Sequence, residues 1–132
     1  MDNTQFFYRN IPFTRKDGQV ALVDLFQPEN STPLDGWLGT VVSLADGFHT
    51  IQQLIEYMGS QYPNPPEKLE DTLHSVITRL IDGGIIQVSQ RVTTLPYYLS
   101  APIEELDNER ARKSAQDEGD TLSKNFDGGF LQ

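Results

Sequence analysis

The chain has 132 residues, enough for one domain with a modest core, and it contains no cysteine, which excludes disulfide scaffolds, thiolate zinc sites and cysteine nucleophiles by inventory. Ten basic residues stand against 19 acidic ones, a net charge of −9, and both parts of the chain share the excess: residues 1–100 hold 6 basic and 11 acidic side chains, residues 101–132 hold 4 and 8. No basic stripe is present to exchange for the counterions of a nucleic acid, so the charge points to protein partners and to no nucleic acid.

No run of about 18 apolar residues occurs, and the opening MDNTQFFYRN lacks a basic stretch followed by an apolar one. Neither a membrane span nor a signal peptide is expected, and the cytoplasm is the expected location. From Gln5 to Phe26 the sequence is aromatic and β-branched, with Asp17-Gly18 between two runs as a hairpin signal. At least two strands are expected, the second near Gln19 to Phe26. Its QVALVDLF run is apolar on both parities, so it is either covered on both faces or ends irregularly.

PENSTP reads as loop, with Ser31 or Thr32 as N-cap and Pro33 at the first helical position. Leu34, Trp37, Leu38, Val41, Val42 and Ala45 then follow the spacing of one helical face, stopped at Gly47. Thr50 and Gln53 form a capping box for a second helix striped by Ile51, Leu54, Ile55 and Met58, ending at Gly59 or Tyr62. After YPNPP a third helix starts at Asn64 or Pro65. It carries Leu69, Leu73, Val76, Ile77, Leu80 and Ile81 and closes at Gly83-Gly84. Acidic residues in its first turn and Arg79 in its last suit the helix dipole.

IIQVSQRVTTLPYYLS is β-rich, with Ser89-Gln90-Arg91 as a turn, which predicts a C-terminal β wing. From Glu104 onward large apolar residues are few and no 3.6 period is sustained. The expectation is a folded domain over residues 1–100 and an acidic, disordered tail over 101–132, with a helical turn near Glu104 to Lys113 as the one exception. The closing Phe126 to Gln132, with two aromatics, is a candidate to dock on a partner or in a binding groove. The fold class is α+β and winged-helix-like: N-terminal strands on three helices, then a wing.

No catalytic constellation emerges. His49 and His74 are the only histidines and read as surface or cap residues, a poor metal inventory without cysteine. Glu70-Asp71 and Glu104-Glu105 are sequence neighbours rather than a converging acid and base. Neither a Gly-x-Ser-x-Gly elbow nor a phosphate-binding glycine loop occurs. The chain is therefore expected to be no enzyme and to hold no metal or cofactor.

The stretch LADGFHTIQQLIEYMGSQY followed by LHSVITRLIDGGIIQV resembles the PqqD-like peptide-binding domains, the recognition elements of ribosomal peptide biosynthesis. The resemblance runs over about residues 33–88, with the family pattern at Val42, Leu44, Asp46, Gly47 and Thr50. It implies a non-catalytic peptide chaperone in which a three-stranded sheet on three helices captures a precursor's leader peptide as an added strand. Such a protein presents the leader to a modifying enzyme, for instance a radical-SAM maturase. The aromatic N-terminal region, the extended wing and the acidic tail depart from the family pattern.

A strand edge beside a helix supplies main-chain hydrogen bonds for affinity and side-chain pockets for specificity. The candidate edge is Val20, Ala21, Leu22, Val23 and Asp24. The candidate helix face is Lys68, Thr72, Ser75 and Arg79, with Arg79 placed to pair with a leader carboxylate; the plainer alternative is a solvated face. Two other readings stand beside this one: a winged-helix DNA-binding regulator, which the charge of the third helix disfavours, and a module that dimerises within a larger complex.

Overall fold

A computed structural model describes residues 2–61, 64 and 67–125. It is mixed α+β, with two three-stranded antiparallel sheets and four helices. No helix among the described residues is long and apolar enough to cross a membrane.

The first strand, β1 (Phe6–Arg9), is the centre of one sheet and pairs only with distant segments. The next two, β2 (Phe13–Lys16) and β3 (Gln19–Asp24), form the expected hairpin. Asp17 and Gly18 both have positive φ, 52° and 80°, as a two-residue turn between right-twisted strands requires. Both parities of β3 are used, since Val20 and Val23 are each buried.

PENSTP is not a helix cap. It lies within β4 (Gln27–Leu34), which pairs with β3 through Leu22↔Thr32 and Val20↔Leu34. Pro33 tolerates the strand because the ladder turns its nitrogen outward, where no hydrogen bond is lost. The first helix, α1 (Gly36–Leu44), is correspondingly shorter than expected and follows Asp35. It lies on β3, with Gly39 against Val20.

Residues 46–50 form a strand, β5 (Asp46–Thr50), rather than a plain helix stop. Thr50 keeps its expected role as a cap and Gly47 its positive φ, but α1 ends before Gly47, at Leu44 with Ala45 as its C-cap. Gly47 has φ +84°, and a Cβ there would sit 2.0 Å from the Thr93 carbonyl oxygen. Thr50 caps α2 (Ile51–Ser60) with Gln53 in a full capping box. The third helix, α3 (Leu69–Asp82), begins after Lys68, later than expected, and Gly84 at φ +73° turns the chain into β6 (Ile86–Ser89).

The expected C-terminal β wing is not formed: β6 is one strand of the β5-β1-β6 sheet. No strand follows β6 among the described residues; the chain bends at Ser89 to Arg91 and crosses to β5, where the Thr93 N–H donates to the Gly47 carbonyl at 2.9 Å. Two 3-10 turns follow, Tyr97–Leu99 and Ile103–Glu105, and then α4 (Asn108–Asn125). The expected tail beginning at residue 101 is thus structured for much of its length. Pro102 and Ala111 are buried, Arg110 stacks over Tyr97 at 4.1 Å, and the Arg112 Nε donates to the Leu25 carbonyl. A segment with few large apolar residues is held here by arginine contacts and the two buried residues Pro102 and Ala111. The closing Phe126 to Gln132 lies outside the described residues.

The core gathers Phe7, Phe13, Val41, Ile51, Leu73 and Ile77, so α1, α2 and α3 share one interior with β1 and β2. At its margin sits Arg9, 2% exposed.

Candidate functional site

An added strand needs a sheet edge with outward N–H and C=O groups, and the expected edge does not provide one. β3 is the middle strand of its sheet, paired on one side with β2 and on the other with β4. The main chain from Val20 to Asp24 is spent on the ladder, because the PENSTP segment read as loop lies in β4, its second partner. Thr72, Ser75 and Arg79 are exposed on α3 and Lys68 is exposed just before it, but the helix packed against β3 at Val20 is α1. The two halves of the expected groove therefore belong to different surroundings.

Four true edges remain; two are covered and one is short. At β5 the outward Gly47 carbonyl accepts from Thr93. At β6 the strand is only four residues long and Ile86 is wholly enclosed. At β2 the outward Arg15 N–H donates to the Glu104 Oε1 at 3.0 Å. Short length and covering by chain are both common ways to blunt an edge.

The outer edge of β4 is different. The Val23 N–H donates to the Pro12 carbonyl, so the odd residues of β3 face β2 and the even ones face β4. In β4, Thr32 and Leu34 consequently point inward, while Ser31 and Pro33 point outward. Both outward residues are exposed, and no hydrogen-bond partner faces the Ser31 main chain among the described residues. Pro33 offers a carbonyl but no N–H, which blunts half of its position. An incoming strand finds three main-chain groups: the Ser31 N–H, the Ser31 C=O and the Pro33 C=O.

Beyond Pro33 the strand runs into a cleft of about 370 Å³ between the hairpin and α1, bordered by Gly18, Val20, Leu34, Gly36, Thr40 and Tyr57. A second hollow of about 400 Å³ continues it past Trp37 to Gln61. Tyr57 is 44% exposed at the junction. Its neighbours Arg15, Gln19, Asp35 and Ser43 make the first hollow polar, suited to a hydrogen-bonding side chain.

Arg9 is a constraint that composition and periodicity did not single out. Its Nε donates to the Leu99 carbonyl at 2.7 Å, and its Nη1 donates to the Val42 and Ser43 carbonyls at 3.1 and 3.3 Å. The guanidinium also lies over the Phe13 ring at 4.4 Å. It thus ties β1 to the last carbonyls of α1, where the helix dipole favours a cation, and to the C-terminal segment. Burial lowers its pKa from the ordinary arginine range to about 10, Asp46 opposes that shift and Arg15 adds to it, so the side chain stays charged at neutral pH. The only sequence signal was its parity: in FFYR it shares a face with Phe7.

The histidines sit apart. The His49 Nδ1 lies 2.9 Å from Asp46 Oδ1 and the His74 Nε2 lies 2.7 Å from Asn3 Oδ1, on different elements. No cluster of three metal-ligating side chains occurs among the described residues. Glu104 and Glu105, read as tail residues, are instead seated on β2, where Glu104 also accepts from the Thr14 hydroxyl. No family model, no curated protein and no solved structure matches this chain.

Proposed function

We propose that the chain is a non-catalytic peptide-binding module of winged-helix type, similar to the PqqD-like recognition elements. In this reading it captures the leader of a ribosomally made precursor as an added strand and presents it to a modifying enzyme, such as a radical-SAM maturase. One observation carries the proposal: β4 is an exposed outer strand with unpaired outward groups, on a chain that closes or shortens its other three edges. The docking strand moves from β3 to β4, while the mode of recognition stays that of strand addition.

Three main-chain hydrogen bonds contribute about 0.5–1.5 kcal/mol each, which falls short of the cost of association and of ordering a flexible peptide. Side-chain recognition must supply the remainder. The cleft past Pro33 is where a residue of the docked strand meets Thr40 and Tyr57, and that is the source of specificity here.

The test is isothermal titration of the full chain with the leader peptide of the short precursor gene nearest its own. Binding in the micromolar range or tighter, weakened when the leader is truncated and when Ser31 is replaced by proline, is the expected result. Absence of heat with every neighbouring leader overturns the reading. Binding that ignores the Ser31→Pro change keeps a peptide function but removes β4 from it.

A further inference from the structure

We propose that Ile103–Glu105 is an internal occupant of the outer edge of β2, and that this edge accepts an acidic extended peptide when the segment is lifted away. The proposal stands apart from the β4 reading, since it concerns another strand and another ligand chemistry.

β2 is closed unlike any other edge of the molecule. Among the described residues no backbone pairs with it on that side and no proline faces outward; two carboxylates from a 3-10 turn do the covering. Glu104 accepts from the Arg15 N–H at 3.0 Å and from the Thr14 hydroxyl, and the Glu105 Oε2 lies 3.4 Å from the Arg15 Nη2. The Arg15 Nη1 meanwhile donates to the Ser43 Oγ at 2.6 Å. One carboxylate, Glu104, is held by a main-chain N–H and a hydroxyl, and the next, Glu105, by the Arg15 guanidinium, which is how a strand edge would hold neighbouring acidic side chains of a ligand.

The surroundings favour an anion although the chain is acidic. Arg15 and Lys16 lie on β2, and Arg9 presents its charge to the same end of α1 as Arg15, with Ser43 touched by both. A second copy of this chain is a poor occupant, because pairing β2 with itself places Arg15 and Lys16 opposite like charges. An acidic peptide matches the site in the way the chain's own Glu104 and Glu105 do.

The ion pair is exposed, with side-chain accessibilities of 44% and 61%, so the closure is weak in isolation and depends on the covalent link. A tethered segment acts at an effective concentration in the millimolar range, which an external peptide must exceed or a partner must relieve. The cover is anchored separately on its C-terminal side, where the Asp107 N–H donates to the Tyr97 hydroxyl at 2.7 Å, so this anchor does not depend on the contacts to β2.

The experiment uses the full chain and the acetylated, amidated peptide APIEELD, copied from residues 101–107. Backbone amide shifts at Thr14, Arg15 and Lys16 are followed in the parent chain and in the Glu104→Ala/Glu105→Ala variant. The expected result is saturable shifting in the variant and an apparent affinity at least about tenfold weaker in the parent. The peptide APIQQLD is expected to be inactive, and Arg15→Glu added to the variant is expected to abolish the response. A Glu104→Gln/Glu105→Gln chain, which keeps side-chain size, repeats the measurement with the same expectation. Equal affinity in parent and variant, no response in either opened chain, or a response indifferent to Arg15 each overturns the proposal.

Discussion

The two sheets of this molecule have three antiparallel strands each and differ in how far along the chain they reach for partners. In the β5-β1-β6 sheet, the central strand pairs with residues about 40 and 80 positions later, so it forms only when the helices have brought the chain back. The β2-β3-β4 sheet is a local meander joined by a two-residue turn and one short loop. The long-range sheet is enclosed: Phe7 and Ile86 have no exposed surface and Thr93 covers its far edge. The local sheet gives one edge to the acidic cover and leaves the other open. A sheet assembled from distant segments is wrapped by the chain that assembles it, whereas a meander can keep its last strand free for a partner.

Adding a methyl group where the returning chain touches the enclosed sheet is the most damaging change we expect. Gly47→Ala forces a side chain into a left-handed conformation and drives its Cβ onto the Thr93 carbonyl. Loss of roughly 3–4 kcal/mol is expected in urea unfolding, with the Thr93 amide losing its protection from hydrogen exchange. A loss below about 1 kcal/mol would mean that the segment after β6 is not anchored there and that the enclosure of β5 is dispensable.

Arg9→Met comes next. It keeps most of the volume while removing the donors to Leu99, Val42 and Ser43. Unpaired buried acceptors cost about 1–3 kcal/mol each, but the variant no longer buries a charge, so the net loss expected in thermal unfolding is about 2–3 kcal/mol. Arg9→Lys restores the charge without the fork and is expected to recover only part of it. Full recovery by lysine would show that charge alone, not the forked geometry, holds β1 to the end of α1.

Thr50→Ala is smaller. Thr50 ends β5 and caps α2 through the Gln53 N–H at 3.1 Å, with Gln53 returning the bond at 2.8 Å. About 1 kcal/mol is expected from chemical denaturation, and an effect near zero would show that burial of Ile51 and Leu54 holds this helix end without the box.

What the sequence revealed divides along the same line as the two sheets. Local chemistry was legible: the Asp17-Gly18 turn, the Thr50–Gln53 box, the stripe of α3 and the glycines that end it all stand where the pattern placed them. Features decided by a partner were not. PENSTP has loop composition and is a strand because β3 presents Val20 and Leu22 with unpaired main chain. That assignment in turn made β3 a central strand and removed the expected docking edge. α4 lacks an apolar stripe and is held by Tyr97 and Leu25, contacts that periodicity does not register. Arg9 serves backbone carbonyls, and carbonyls leave no trace in a sequence.

The smallest effect on stability that we expect is the one that bears most on function. Ser31→Pro alters an exposed residue whose N–H points away from β3, so no ladder bond is lost, and proline is tolerated at an outward edge position, as Pro33 already shows. Stability is expected to change by no more than about 0.5 kcal/mol. Yet it removes the only outward N–H that this part of the edge offers, and the added ring obstructs a strand lying alongside. A loss of peptide affinity of about tenfold or more, with unchanged unfolding, would separate binding from folding on a single strand. Unchanged affinity would mean that peptides are held by the cleft near Tyr57 alone, and a large loss of stability would mean that β4 is less free than its outward groups imply.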